Sequence, residues 1–235
     1  MDVQDLQTAL QGLGLYAGAI DGKFGPISRA GLLAALEGNP ARLTRLDLEY
    51  AGQPYGLSAA HVGAVVDVES AGRGFHPDSR RPIILYEPHV FSRLTGHLYD
   101  HIPEISYRSW GDRDYPSTQA ARYEQLIRAC AIDPDAAFQS ASWGLGQIMG
   151  FNRVWAGFPE PWPFVLAMAT SEREQLLAMM RFCKAKGLDD ELRRGDWAGF
   201  ARGYNGSGYA RNFYDQKLKA AFARRSAAAD RPLVA

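Results

Sequence analysis

Short apolar stripes at helical spacing recur along this chain, most of them opened by a capping side chain and closed by glycine or proline. Val3, Leu6, Leu10 and Leu13 make the first stripe, and Gly12, Gly14 and Gly18 break it. The tight-turn sequence Asp21-Gly22-Lys23-Phe24-Gly25-Pro26 follows, and Ser28 is the expected cap of a second helix carrying Leu32, Leu33 and Leu36. Gly38-Asn39-Pro40 ends this unit and sets a boundary between a small module, residues 1–40, and a larger domain, residues 43–235. In the larger part Ser58, Thr118, Asp133 and Asp196 precede helical segments, and Ser171-Glu172-Arg173-Glu174 reads as a capping box. Pro82-Ile83-Ile84-Leu85-Tyr86 is the best strand candidate. Residues 103–117 and 155–163 read as loops, and a last helix is expected from about Tyr209. The pattern predicts a mainly α fold with a short β element.

One side chain breaks the rule that stripes are apolar. Val62, Val65 and Val66 form the face of the helix that Ser58 opens, and Glu69 stands where a fourth valine would fit. Burying an ionised carboxyl is costly, so desolvation raises its pKa. A carboxylic acid that keeps its proton near neutral pH is what glycosidic bond cleavage needs from a general acid. Turned to solvent at an early helix end, the same residue carries no chemistry. A second carboxylate in the opposite state would complete an acid–base pair. Glu87 precedes Pro88 at an expected helix N-terminus, where backbone amides favour an ionised acceptor. It could equally be a helix cap or a buried structural group. Asp78, in the turn before the strand, is the rival candidate.

Other chemistries find less support. His97 and His101 are four apart and could share a helix face, but no glutamate follows the first histidine and no metal site is expected. Cys130 and Cys183 each complete an apolar stripe, which places them in the core and not in a disulfide framework. No phosphate-binding glycine loop is present, Ser142 and Ser207 lack a nucleophile-elbow context, and no cofactor is expected. Of the 235 residues, 26 are basic and 26 acidic, and this zero net charge argues against a nucleic-acid partner. No run approaches the roughly 20 apolar residues that span a bilayer. The acidic, polar start Met1-Asp2-Val3-Gln4-Asp5 lacks a secretory pattern, so accumulation in a reducing cytoplasm is the expectation. Residues 215–235 carry five basic and two acidic side chains, read as a solvated helix face or a weak contact with an anionic envelope.

Three segments, taken in order, resemble the lysozyme-like superfamily: Val68-Glu69-Ser70, Ser142-Trp143-Gly144-Leu145-Gly146-Gln147-Ile148-Met149, and Gly203-Tyr204-Asn205-Gly206. Goose-type lysozymes and soluble lytic transglycosylases carry a similar series. Residues 43–225 more closely resemble the N-acetylmuramidase domain of phage endolysins, through Glu69-Ser70-Ala71-Gly72, Arg81-Pro82-Ile83-Ile84-Leu85-Tyr86-Glu87, His89-Val90-Phe91, Arg93-Leu94-Thr95-Gly96, Ser140-Ala141-Ser142-Trp143-Gly144 and Gln147-Ile148-Met149-Gly150. Family members often have Glu-Arg-His where this chain has Glu87-Pro88-His89. The resemblance implies an α+β lysozyme-like fold and cleavage between N-acetylmuramic acid and N-acetylglucosamine in peptidoglycan. It puts Glu69 in the place of the catalytic glutamate and Gln147, Tyr204 and Asn205 along the glycan groove. Residues Leu6-Gln7, Leu13-Gly14-Leu15-Tyr16, Ile20-Asp21-Gly22 and Phe24-Gly25-Pro26 resemble a peptidoglycan-binding module, shortened to about two helices.

The expected protein is thus a monomeric endolysin whose partner is the peptidoglycan glycan strand, released to the cell wall through a phage-made membrane hole. Glu69 protonates the leaving oxygen; water, or an acetamido group of the substrate, attacks. Glu87 or Asp78 positions that water. A lytic transglycosylase, a non-catalytic wall-binding phage protein and a zinc amidase are the alternatives.

Overall fold

A computed structural model describes residues 1–69 and 73–229. The first two helices are α1 (Val3–Gly12) and α2 (Pro26–Ala35). Asp2 and Asp5 cap α1 reciprocally. Ser28 does not cap α2: Gly25 holds the cap position, Pro26 takes the first helical place, and Ser28 is buried within the helix. Proline suits that place because its ring presets φ and no amide is lost there. Gln7, fully buried, ties the intervening loop: its carbonyl accepts from the Asp21 and Gly22 amides at 3.0 and 2.9 Å, and its Nε2 donates to Tyr16 Oη at 3.0 Å and the Lys23 carbonyl at 3.1 Å.

The next helices are α3 (Arg45–Gly52) and α4 (Ala59–Glu69), which pack on each other. Strand β1 (Ile84–Tyr86) leads through Glu87 to α5 (Pro88–Leu94). After the long loop come α6 (Gln119–Cys130) and α7 (Pro134–Gln139), opened by the Thr118 and Asp133 side chains. Strands β2 (Ala141–Trp143) and β3 (Ile148–Met149) complete an antiparallel sheet of order β1-β2-β3. Its register pairs Ile84 with Trp143 and Ser142 with Met149. Then follow α8 (Pro161–Thr170), α9 (Glu172–Ala185), α10 (Leu188–Arg194), α11 (Trp197–Asn205) and α12 (Tyr214–Ala229). The expectation of a mainly α fold with a short β element is met.

Three expectations move. The apolar segment α8 starts at Pro161, inside the stretch read as loop, because Pro161 again seeds a helix. The last helix starts at Tyr214, since Phe213 takes a left-handed φ of 55°. His97 also has a positive φ, 65°, and lies in a turn after α5, so it shares no helix face with His101. Residues 70–72, part of the Glu69-Ser70-Ala71-Gly72 segment, and the basic-tail residues 230–235 lie outside the described residues.

One continuous core joins both parts of the chain. Leu6, Leu10, Leu32 and Leu36 share it with Val62, Val65, Trp143, Met179 and Phe200. Cys130 and Cys183 are free and buried in it. The junction is held by backbone: the Gly38 amide donates to the Arg80 carbonyl at 2.9 Å, and the Asn39 amide to the Thr170 carbonyl at 3.0 Å. A Cβ on Gly38 would collide with the Ala169 carbonyl, so only glycine allows this approach. Helix α12 lies along α4, with Arg225 Nε donating to Asp67 Oδ2 at 2.8 Å over the gap left by Gly63. This part of the basic tail is therefore packed, and Arg225 is paired.

Candidate active site

Glu69 is the last residue of α4, on the helix whose Val62, Val65 and Val66 are buried. The stripe carries its carboxyl into a half-buried position. Asn205, the last residue of α11, donates from Nδ2 to Glu69 Oε1 at 2.9 Å. Burial pushes the Glu69 carboxyl up from 4.5 to about 7, and the Asn205 hydrogen bond opposes that rise only in part. The charge of Glu69 is felt by Cys183 on α9 and Tyr204 on α11. Burial, more than Glu69 itself, holds both well above their ordinary values, so both stay neutral.

Tyr204 forms the wall beside Asn205. Its ring stacks on Phe200 at 5.5 Å between centroids and meets Phe182 edge-on at 5.7 Å. Its hydroxyl donates to the Gly146 carbonyl at 2.8 Å, which ties α11 to the turn between β2 and β3. Gln147 shapes that turn from a left-handed φ of 46°. Its Nε2 donates to the Gly144 carbonyl at 2.7 Å and the Ile83 carbonyl at 3.1 Å, and its Oε1 accepts from Ser142 Oγ at 2.9 Å. The Gln147 amide is thus satisfied within the sheet. Glu69, Asn205, Tyr204, Gly146 and Gln147 form one connected set. Gly146 is the member that residue-type reasoning passes over, although its place in the Gly-Leu-Gly-Gln run is the available signal.

The other two carboxylates stand outside this hydrogen-bonded set. Glu87 precedes α5, but its side chain makes no capping bond to the amides there. Pro88 has no amide to offer, and the carboxylate instead accepts from Tyr115 Oη at 2.5 Å. Its Oε2 is 3.3 Å from His89 Nδ1, off the line a hydrogen bond needs. Burial and the Glu87 carboxylate together raise the Tyr115 phenol far above its ordinary value, so it stays a donor. Asp78 is exposed in the 77–79 turn. Neither carboxylate hydrogen-bonds Glu69.

In the stretch read as a loop, Trp155 is 42 % exposed. Lys186 Nζ sits 3.0 Å from the ring centroid, and Phe182 meets Trp155 edge-on at 6.1 Å. A concavity of about 830 Å³ runs past Val66 and Asp67, one turn before Glu69, and is lined also by Arg42, Thr44 and Ser58; Glu69 does not line it. Among the described residues no cluster of three or more His, Cys, Asp and Glu could hold a metal ion.

Comparison with known proteins follows this geometry. The model of the N-acetylmuramidase family matches residues 58–226. The chain is similar to the crystal structure of Burkholderia AP3 phage endolysin, with 37 % identity and a TM-score of 0.73, over 97 % of this chain and 95 % of that one. No curated protein matches.

Proposed function

The chain belongs to the N-acetylmuramidase family and is a peptidoglycan hydrolase, and from that premise we propose that Glu69 is its general acid on the β-1,4 bond between N-acetylmuramic acid and N-acetylglucosamine. The observation that carries this reading is the half-buried carboxyl held by Asn205, with its pKa raised to about 7. The Glu69 carboxyl gives its proton to the glycosidic oxygen. The electron pair of the C–O bond leaves with that oxygen, and water adds at the anomeric carbon to leave a reducing N-acetylmuramic acid end, the proton it releases restoring the Glu69 carboxyl. Asn205 orients the acid; Tyr204 and Gln147 line the groove by fixing its wall, since their polar atoms are bonded to Gly146, Gly144 and Ile83. Of the two carboxylates, Glu87 is our candidate to position the water, which its ordering by Tyr115 supports while Asp78 sits in an exposed turn.

Similarity to a phage endolysin over nearly the whole chain supports lysis of the host as its role, and passage to the wall through a phage-made membrane hole is part of the proposal. Among the described residues no helix is long and apolar enough to cross a membrane. The N-terminal unit shares the core of the catalytic part, which supports a role in presenting the wall at a fixed distance from Glu69.

Mass spectrometry of digested sacculi tests the reaction. Reducing muramic acid ends are expected. Products lighter by one water would establish a transglycosylase, and sacculi bound without being solubilised would establish a wall-binding protein.

A further inference from the structure

Gln175 and Glu172 share one face of α9, 1 % and 2 % exposed, and neither enters the chemistry above. The Gln175 amide spends its polar atoms on three separate backbone segments. Its Oε1 accepts from the Leu145 amide at 2.8 Å, and its Nε2 donates to the Met168 carbonyl at 2.7 Å and the Gly74 carbonyl at 3.4 Å. Glu172 Oε1 accepts from the Gly74 amide at 2.9 Å. Gly74 is therefore held at both its amide and its carbonyl.

The Gly74 segment meets α9 through this amide, and the Leu145 segment leads on to Glu69. Leu145 precedes Gly146, whose carbonyl receives the Tyr204 hydroxyl, next to the Asn205 that holds Glu69. Both segments carry a glycine where they meet Gln175: a Cβ on Gly74 would strike its Oε1, and a Cβ on Gly144 its side-chain amide. An apolar residue would suffice to pack α9 against the core. A buried amide bonded at both ends instead fixes the distance between the Leu145 amide and the Met168 carbonyl, because a shift there leaves a polar group unpaired, whereas the Gly74 carbonyl also accepts from the Ile83 amide at 2.9 Å.

We propose that Gln175 is a positioning residue: by tying the Leu145 amide to the Met168 carbonyl of α8, it sets the turn whose Gly146 carbonyl receives Tyr204, next to the Asn205 that holds the half-buried Glu69. This rests on the reading of Glu69 as the acid. The groups facing Glu69 from the packed helices are Asn205, Tyr204 and Cys183, while Asp67 on its own helix is paired with Arg225 of α12.

Gln175→Met keeps length and loses the polar bonds. Measured on soluble peptidoglycan fragments across pH, the folded variant should hold KM within about twofold while kcat falls on the order of tenfold to a hundredfold, the scale of a misplaced catalytic group. Water reaching Glu69 should also move the alkaline limb down by about one pH unit. Gln175→Glu should work where its carboxyl is protonated and can donate to the Met168 carbonyl, and fail as it ionises. Gly74→Ala displaces the amide without removing it, takes no strained backbone angle, and must give the same split of kcat from KM; it decides the matter if Gln175→Met does not fold. A lowered melting temperature with kcat and limb unchanged would overturn the proposal. A folded Glu69→Gln protein with wild-type turnover would overturn the acid reading instead.

Discussion

Asn205 Nδ2 donates to Glu69 Oε1 at 2.9 Å, joining the ends of two helices that lie 136 residues apart in sequence. Burial favours the protonated carboxyl, and this hydrogen bond favours the ionised one. The result is an acid poised near neutrality, able to lose its proton and regain it within one turnover.

Removing Asn205 releases one side of that balance. In Asn205→Ala the Glu69 pKa should rise further, and the alkaline limb of activity should move up by about one unit, the size of a lost hydrogen bond to a charged group. Turnover below the limb should fall about tenfold to a hundredfold, because the acid is no longer aimed. A pH–rate profile checks both effects.

Glu69 should also write itself into stability. Its folded pKa, about 7, lies above its ordinary 4.5, so the native state binds more protons between those values. Stability present below pH 4.5 is then lost as pH rises through 7, by about 2–3 kcal/mol allowing for partial exposure. Glu69→Gln should therefore melt higher than wild type at pH 8 and the same at pH 4. Equal melting temperatures at pH 8 would mean that the carboxyl is not desolvated.

The shared core makes a prediction about the N-terminal unit. Leu6, Leu10, Leu32 and Leu36 pack into the same cluster as the catalytic helices, and Gly38 and Asn39 are bonded to Arg80 and Thr170. Calorimetry should show one cooperative transition, with calorimetric and van't Hoff enthalpies equal. Two separated transitions would mean an independent module.

Gln7 should matter more than a polar residue on a short helix usually does. Gln7→Leu leaves the Asp21 and Gly22 amides without their acceptor. The loss should be about 2–4 kcal/mol in urea unfolding, with the circular dichroism spectrum unchanged.

Much of this arrangement is legible in the chain itself. The valine stripe leads to Glu69, and Thr118, Asp133, Ser171 and Asp196 cap the helices they precede. What escapes has physical reasons. Helix α8 is apolar on nearly every face and so shows no amphipathic period, while its opening prolines resemble a loop. Helix α10 is a short, charged segment between Gly187 and Gly195, both left-handed, where pattern and length give little signal. Gln147 reads as a groove residue, yet its amide is spent inside the sheet, a fact that depends on partners as distant as Ile83. Glu87 reads as an acceptor at a helix start, but the fold brings Tyr115 to it from 28 residues away. Local caps are visible from neighbours in sequence; side-chain partners across the fold are not.

The most direct measurement is turnover of purified sacculi by Glu69→Gln beside wild type at pH 6, with circular dichroism as the check on folding. Loss of a general acid removes about a hundredfold to ten-thousandfold in rate, and a decline of that order is expected in a folded variant. A folded Glu69→Gln protein that solubilises sacculi within tenfold of the wild-type rate would contradict the account.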